Sequence, residues 1–580
     1  MAERAVGRDA RTRWILGAAA LVLVAHSLAY NFVTDDAYIS FVFSRNLAQH
    51  GELTFNLGQP VEGYTNFVWT LLLGLGMLAK IPPELASRVL GTACGLATLY
   101  AVFRLTARAL GHRSPWAALP AVLLACSSGF ACWTSGGLET QLYTLLVTVA
   151  LDALAAATAD PRALRRMAIA LALASMTRPE GPLVGAVLGA MWILYRATPR
   201  RWPRLARWVG SREPVDPAIE LPAAPSASPS APPAAARRGI RAEATALAWF
   251  LALWAPWFAW RWWYYGWPFP NTYYVKATGA WAAPELARQM LGNGLYYVWV
   301  WLRQSHLVYV LPVALAGAIS ARVGTPRRFV GATCAAFAVI YLAYAVSVGG
   351  DFMGLHRFIM PVFVVAAVAV ALGAEWLASY LARRAAPRAL GPRAVVRIAP
   401  AIAVALVGGF AITQWQLTRA SLRWGNFDSD RGIDTPIYLM AYTEDRATIG
   451  RAMAACFAPD DFSIVGGAGA QPYYGRMRGI DVFGLVSERI AHDEPRVRAR
   501  AGHTKFGSDR VLASYDPTFV FSCYQIHRQP TPPALPCAPF WLARGFAPVT
   551  LRIPGLRLQG EYYTFLARQA RHFDCPGRVP

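Results

Sequence analysis

Along the first 417 residues, long apolar runs alternate with short clusters of arginine, a pattern that predicts a helical membrane domain. Crossing a bilayer as a helix takes about 20 apolar residues. Arginine-rich loops stay on the cytoplasmic side, so each cluster fixes the direction of the helices beside it. Arg4, Arg8, Arg11 and Arg13 precede the first run, residues 14–33, and hold the N-terminus in the cytoplasm. Ser27-Leu28-Ala29 would serve as a cleavage site, but the apolar run continues past it and further spans follow, so the run reads as an uncleaved helix. A long external loop follows, to about residue 83. Within it, 67–79 is short for a span and reads as an interfacial or re-entrant helix. Had it crossed, every later arginine cluster would face outward. Further helices are expected near 86–105, 116–132, 138–158, 167–177, 181–195, 244–264, 307–321, 329–347, 358–382 and 398–416, about eleven spans in all.

Composition agrees with that reading. Of 580 residues, 55% are hydrophobic and only 15% are charged, against about 25% in soluble domains. A net charge of +23 would suit nucleic acid if it lay in one patch, but it is spread through the loops between apolar runs, so no nucleic-acid partner is expected. The cations are nearly all arginine; lysine occurs only at Lys80, Lys276 and Lys505. Residues 197–243, rich in proline and alanine, read as a flexible cytoplasmic linker inside the 1–417 membrane domain.

Residues 418–580 differ in kind. They are more polar and mix strand-like runs (FSIVGGAG, PTFVFSCY) with turns, which predicts a soluble external domain of mixed α/β type. Gly466-Gly467-Ala468-Gly469 has the composition of a phosphate-binding turn but no evident helix opener after it, so it reads as a plain glycine-rich turn. Cys456, Cys523, Cys537 and Cys575 fall in this domain, and an oxidising location predicts two disulfides in one of three pairings. Cys94, Cys126, Cys132 and Cys334 fall in helices as small core residues. No zinc-type spacing is present, and neither a metal nor a cofactor is expected.

This topology brings the unusual polar positions to one face. Asp35-Asp36, Glu62 with Tyr64, Thr65 and Asn66, Glu139, Arg178-Pro179-Glu180, Asn271 through Lys276, and Asp351 with His356-Arg357 all fall outside. The cytoplasmic loops hold little beyond arginine, proline and alanine. A single external cavity where helix ends converge accounts for the asymmetry. A carboxylate pair at the headgroup level is costly unless it is hydrated or used. Such a pocket suits a polyprenyl-phosphate-linked sugar, whose phosphodiester lies at the interface and whose sugar lies in water. Transfer to a hydroxyl needs a base, and Asp35 or Asp36 is the candidate. The departing lipid phosphate needs cations, for which Arg45, Arg178, Lys276 and Arg357 are the candidates, with His356 beside them. Glu62, Tyr64, Asn66, Glu139, Glu180, Asn271, Tyr274 and Asp351 are the candidates for holding sugar or acceptor, and Trp267 and Tyr273 for packing on the sugar. Arg357 is singled out because a cation at a helix N-terminus is unfavourable unless an anion is near.

The segments DDAYISF, GQPVEGYTNFVW, TSGGLET, TRPEG, PNTYYVK, VGGDFMGLHRF, GIDVFGLVSERIAH and GHTKF occur in this order over almost the whole chain. Together they resemble the terminal arabinofuranosyltransferase-like branch of the glycosyltransferase C superfamily. The resemblance implies a multispanning helical domain with an acidic motif in its first external loop and an external C-terminal domain. It also implies a polyprenyl-phosphate-sugar donor and a cell-envelope glycan acceptor outside the cytoplasmic membrane, with Asp35 or Asp36 as the catalytic carboxylate. One departure is visible: the family's FRYARN-like stretch reads FVFSRN here, so Val42 replaces an arginine and leaves Arg45. Two rival classes are a flippase for lipid-linked sugars and a non-catalytic glycan-binding relative. Transporters hold their sites near the midplane between repeats; this chain has no evident repeat, and its polar positions crowd one face.

Overall fold

All eleven apolar segments form helices in the computed structural model, which describes residues 2–111, 115–201, 240–319, 321, 325–385, 392–572 and 575–579. Most of the expected linker lies outside the described residues. In chain order the first helices are α1 (Ala2–Tyr30), α2 (Asp35–His50), α3 (Phe67–Leu78), α4 (Pro83–Leu110), α5 (Pro115–Cys126), α6 (Ser128–Ser135), α7 (Thr140–Ala157), α8 (Leu164–Thr177) and α9 (Gly181–Arg201). After the linker come α10 (Arg241–Tyr265), α11 (Asn271–Lys276), α12 (Pro284–Gln304), α13 (Leu307–Ile319), α14 (Pro326–Ser347), α15 (Met360–Ala385) and α16 (Pro392–Ser421). Among the described residues six helices are long and apolar enough to cross a membrane, or seven if α5 and α6, bent by 64° at their break, form one span. The expected eleven is not reached on this measure, because helices such as α9 and α13 are apolar but shorter.

Besides the short α11, two helices go beyond the sequence reading. The long first loop contains not only the expected α3 but also α2, whose first turn carries Asp35 and Asp36. Carboxylates there complement the positive end of the helix dipole. Gly51, at φ +73°, ends α2 with its N–H on Leu47 O. The second, α12, has no long apolar run; it buries Met290, Gly294, Tyr297 and Trp301 along one stripe.

The C-terminal part is built on α17 (Pro436–Met453) and a five-stranded sheet. Its elements are β1 (Ser463–Val465), α18 (Ala470–Gly475), β2 (Gly479–Asp481), α19 (Glu488–Asp493), α20 (Asp509–Ala513), β3 (Phe519–His527), α21 (Ala538–Leu542), β4 (Phe546–Arg552) and β5 (Tyr562–Arg568). Strand order is β2-β1-β3-β5-β4; β1 runs parallel to β2 and β3, while β5 runs antiparallel to β3 and β4. One face packs Val465, Phe519, Phe521, Tyr563 and Phe565, the other Ile464, Ile480, Val520, Trp541 and Leu566. This is the side-chain alternation that a sheet covered on both faces requires. Disulfides join Cys456 to Cys575 and Cys523 to Cys537, and the four remaining cysteines are free and at least half-buried.

Loops of the membrane domain fasten this sheet over the ends of the helices. The Asn56 side chain donates to Gly479 O and accepts from Gly479 N, both at 2.9 Å, which occupies the outer edge of β2. The Asn271 amide donates to Gly484 O at 2.7 Å and to Leu485 O at 3.1 Å. Such paired amide-to-backbone bonds fix both distance and orientation.

Candidate active site

A cavity of about 390 Å³ opens where α2, α8, the α6–α7 turn, α11 and the loop after α14 meet the C-terminal sheet domain. Its wall contains Asp36, Tyr64, Asn66, Glu139, Arg178, Glu180, Tyr273, Lys276, Asp351 and Arg357, ten of the seventeen candidate residues. They reach it from six separate stretches of chain.

Most of these charges neutralise one another. Ser40 Oγ donates to Asn66 Oδ1 at 3.1 Å, and Asn66 Nδ2 donates to Glu139 Oε2 at 2.9 Å. Arg178 Nη1 donates to the other oxygen of Glu139 at 2.9 Å, while its Nε and Nη2 hold Glu180 at 3.1 and 3.2 Å. Arg178 also stacks over Tyr143 and Phe358. It is therefore a fixed hub rather than a snorkelling surface residue. Arg357 Nε donates to Asp351 Oδ2 at 2.9 Å, and its guanidinium lies over Trp133. The anion that offsets Arg357 at its helix start is thus Asp351. Burial alone would raise Asp351, but Arg357, Lys276 and Arg178 hold its carboxyl below the usual carboxylate range.

Two opposite charges in the wall remain uncommitted. Among the described residues, neither the Asp36 carboxylate nor the Lys276 ammonium has a hydrogen bond or an ion pair, yet both face the same cavity. Burial raises Asp36 above the usual carboxylate range; Lys276 and Arg357 pull it back, whereas Asp351 and Glu139 push it further up. A carboxylate with a raised pKa and no partner is suited to taking a proton.

The remaining seven candidates lie elsewhere, which corrects the expectation that all seventeen share one pocket. Asp35 points away from its neighbour and accepts from Ala470 N at 2.8 Å. Burial pushes its pKa up to about 6, moderated by that bond and by Arg446. Consecutive helix residues diverge by about 100°, so the pair cannot serve one cavity together. Gly467 and Gly469 close on the Asp35 carboxylate, and a Cβ on Gly469 would overlap both its side-chain and backbone oxygens. A helix does follow this turn, α18, contrary to the expectation, and the anion at its start is supplied by the protein itself. Arg45 donates to Tyr473 O at 2.8 Å and stacks on that ring. Glu62 is ion-paired with Arg261, a cation overlooked inside the aromatic run of α10 although a charge in an apolar helix is a signal in itself. Asn271, Tyr274 and Trp267 face the C-terminal domain, Tyr274 and Trp267 against His492 with ring centroids 4.2 and 3.8 Å apart. His356 bonds Gln304 at 3.0 Å, and burial pushes its pKa down to about 3, so it carries no charge for a phosphate.

Ile39, Ser40, Leu138, Leu485 and Gly502 also line the cavity, the last two arriving from the C-terminal domain. All five fall inside the quoted motifs, but nothing in their residue types singled them out as site residues. Lys505 is buried with its ammonium on Ala491 O at 2.6 Å, away from the cavity.

No protein-family model matches the chain, and no curated protein does. Solved structures do. The chain is similar to ArnT from Cupriavidus metallidurans bound to undecaprenyl phosphate, at 14% identity and TM-score 0.54 over 96% of this chain and 98% of that one. The apo form of that protein aligns at 13% identity and TM-score 0.55, over 97% and 99%. An Archaeoglobus fulgidus oligosaccharyltransferase tethered to an acceptor peptide aligns at 11% identity and TM-score 0.45, over 81% and 63%. Helices, sheet domain and near-complete coverage make this a multi-span membrane protein that shares the fold of ArnT.

Proposed function

We propose that this protein is a membrane glycosyltransferase that moves a sugar from a polyprenyl-phosphate donor to a hydroxyl of a cell-envelope glycan on the external face. The observation that carries the reading is the unpaired Asp36 and Lys276 facing one cavity whose other charged side chains are all held in ion pairs. The fold is that of a protein solved with undecaprenyl phosphate, and the sequence motifs point to arabinofuranose or another pentofuranose as the sugar.

Asp36 takes the proton of the acceptor hydroxyl as its oxygen bonds to the anomeric carbon. The bond from that carbon to the phosphate oxygen breaks, and its electron pair leaves with the lipid phosphate. The phosphate gains one negative charge in this step, and the Lys276 ammonium, with the cavity-lining guanidinium of Arg357, offsets it. Glu139 and Glu180 hold Arg178 in place, and Tyr64 and Tyr273 supply apolar faces for the sugar.

The test is transfer by purified protein offered a panel of polyprenyl-phosphate sugars with envelope glycan acceptors. One donor should be consumed by wild type and not by Asp36→Asn. Consumption of no donor, or equal consumption by the variant, would overturn the assignment.

A further inference from the structure

A second recess, about 680 Å³ and open to solvent, lies between α12 and the C-terminal domain. Gln289, Gly292 and Asn293 of α12 form one wall; Arg431, Gly432, Arg498, Ala499 and Arg500 form the other. It shares no residue with the cavity at Asp36. Three guanidiniums on one recess repel one another unless something negative sits among them.

Arg500 is ion-paired to Asp434 at 2.7 Å. Arg431 and Arg498 form no ion pair among the described residues; they lie instead over Tyr296 and Phe506, at 4.3 and 4.6 Å. The scaffold is built rather than loose. Asn293 Nδ2 donates to Ala499 O at 2.7 Å, and Tyr296 Oη donates to Asp430 Oδ2 at 2.6 Å. Arg431 is held at φ +50° and Gly432 at φ +83° in a turn closed by Asp430 and Ile433. A left-handed backbone is unfavourable for any residue with a Cβ, so the turn presents the Arg431 side chain at some expense.

α12 has three faces on a wheel of about 100° per residue. One, with Met290, Gly294, Tyr297 and Trp301, is buried. A second, with Gln289, Gly292, Asn293 and Tyr296, borders the recess. The third carries Leu291, Leu295 and Trp299, exposed by 50%, 58% and 47% at i, i+4, i+8 spacing. An exposed apolar ridge beside a cationic recess is the signature of a helix lying in the membrane interface.

We propose that this recess binds a phosphate group, presented by an anionic lipid whose chains cover the Leu291–Leu295–Trp299 ridge. Guanidinium pairs match phosphate bidentately, and the ridge matches the acyl chains of the same molecule. The inference does not depend on the catalytic reading.

The test uses full-length protein in nanodiscs of phosphatidylcholine with or without about one fifth phosphatidylglycerol. After transfer to detergent, retained lipid is counted by native mass spectrometry, and thermal shift with inorganic pyrophosphate is measured in parallel. Wild type should retain phosphatidylglycerol over phosphatidylcholine, and R431Q/R498Q should lose that preference by about tenfold or more. A matched control, R489Q/R544Q, removes the same charge elsewhere on the surface and should keep it. A pyrophosphate shift without lipid retention, also lost only in R431Q/R498Q, would support the phosphate site and overturn the lipid source. Equal loss in the control, or no loss in R431Q/R498Q, would overturn the site itself.

Discussion

Replacing Asp36 by asparagine exchanges one oxygen for an NH₂ group and leaves the shape of the cavity wall intact. Because the Asp36 carboxylate has no hydrogen bond or ion pair among the described residues, the change orphans no partner, and folding should be unaffected. What it removes is the base, worth about 10²–10⁴-fold, equivalent to about 2.7–5.5 kcal/mol of barrier. Asp35→Asn is the contrast. Its amide oxygen can still accept from Ala470 N, so the turn at Gly469 stays seated and transfer should fall by less than about tenfold. The two carboxyls also differ in their pH signatures. Asp36, raised above the usual range, must be ionised to act, so wild-type transfer should decline as pH falls through that raised pKa. Asp35 titrates near 6 when folded, above its ordinary 3.8, so the folded state binds its proton more tightly than the unfolded one. Its contribution to stability is therefore full below the unfolded value and is lost as pH rises through about 6. Asparagine has no proton to lose, so the Tm of Asp35→Asn should gain on wild type as pH rises from about 3.8 to about 6 and run parallel to it above about pH 7. The assay is single-turnover transfer with purified variants, alongside Tm across pH. Activity within about tenfold of wild type for Asp36→Asn would refute the assignment of the base, as would equal losses in the two variants.

Lys276→Met should raise donor KM and lower kcat by about tenfold or more without changing Tm, since no carboxylate loses a partner; unchanged kinetics would remove Lys276 from phosphate binding. Arg357→Ala, by contrast, strands buried Asp351 and should destabilise by about 3–5 kcal/mol in denaturant titration, whereas Arg357→Lys should recover much of that. Gly469→Ala should push α2 away from the glycine turn, lowering both Tm and transfer at a cost of about 1–3 kcal/mol; a wild-type Tm would contradict that contact. Removing Cys456–Cys575, which spans 119 residues, should lower Tm more than removing Cys523–Cys537, which spans 14, because the longer loop frees more chain entropy when opened. Reporter fusions at Ser228 and near Arg571 should read opposite sides of the membrane, and matching signals would defeat the external placement of the cavity.

Local pattern determined much of this protein. Apolar runs located eleven helical segments and, besides them, a short one at 67–79 that length alone marked as unable to span. Composition marked the C-terminal region as a separate sheet-bearing part, and compartment chemistry predicted two disulfides there. These succeed because helix length, hydropathy and loop charge are properties of neighbouring residues. Tertiary structure decided the rest. Nothing in DDAYISF distinguishes Asp35 from Asp36; the distinction comes from Ala470, 435 residues away, whose N–H and adjoining glycines enclose one carboxylate and leave the other free. The pairing of Arg178 with Glu139 and of Glu62 with Arg261 likewise joins residues 39 and 199 positions apart. A buried charge takes its role from whichever partner neutralises it, and that partner is chosen by packing rather than by position along the chain.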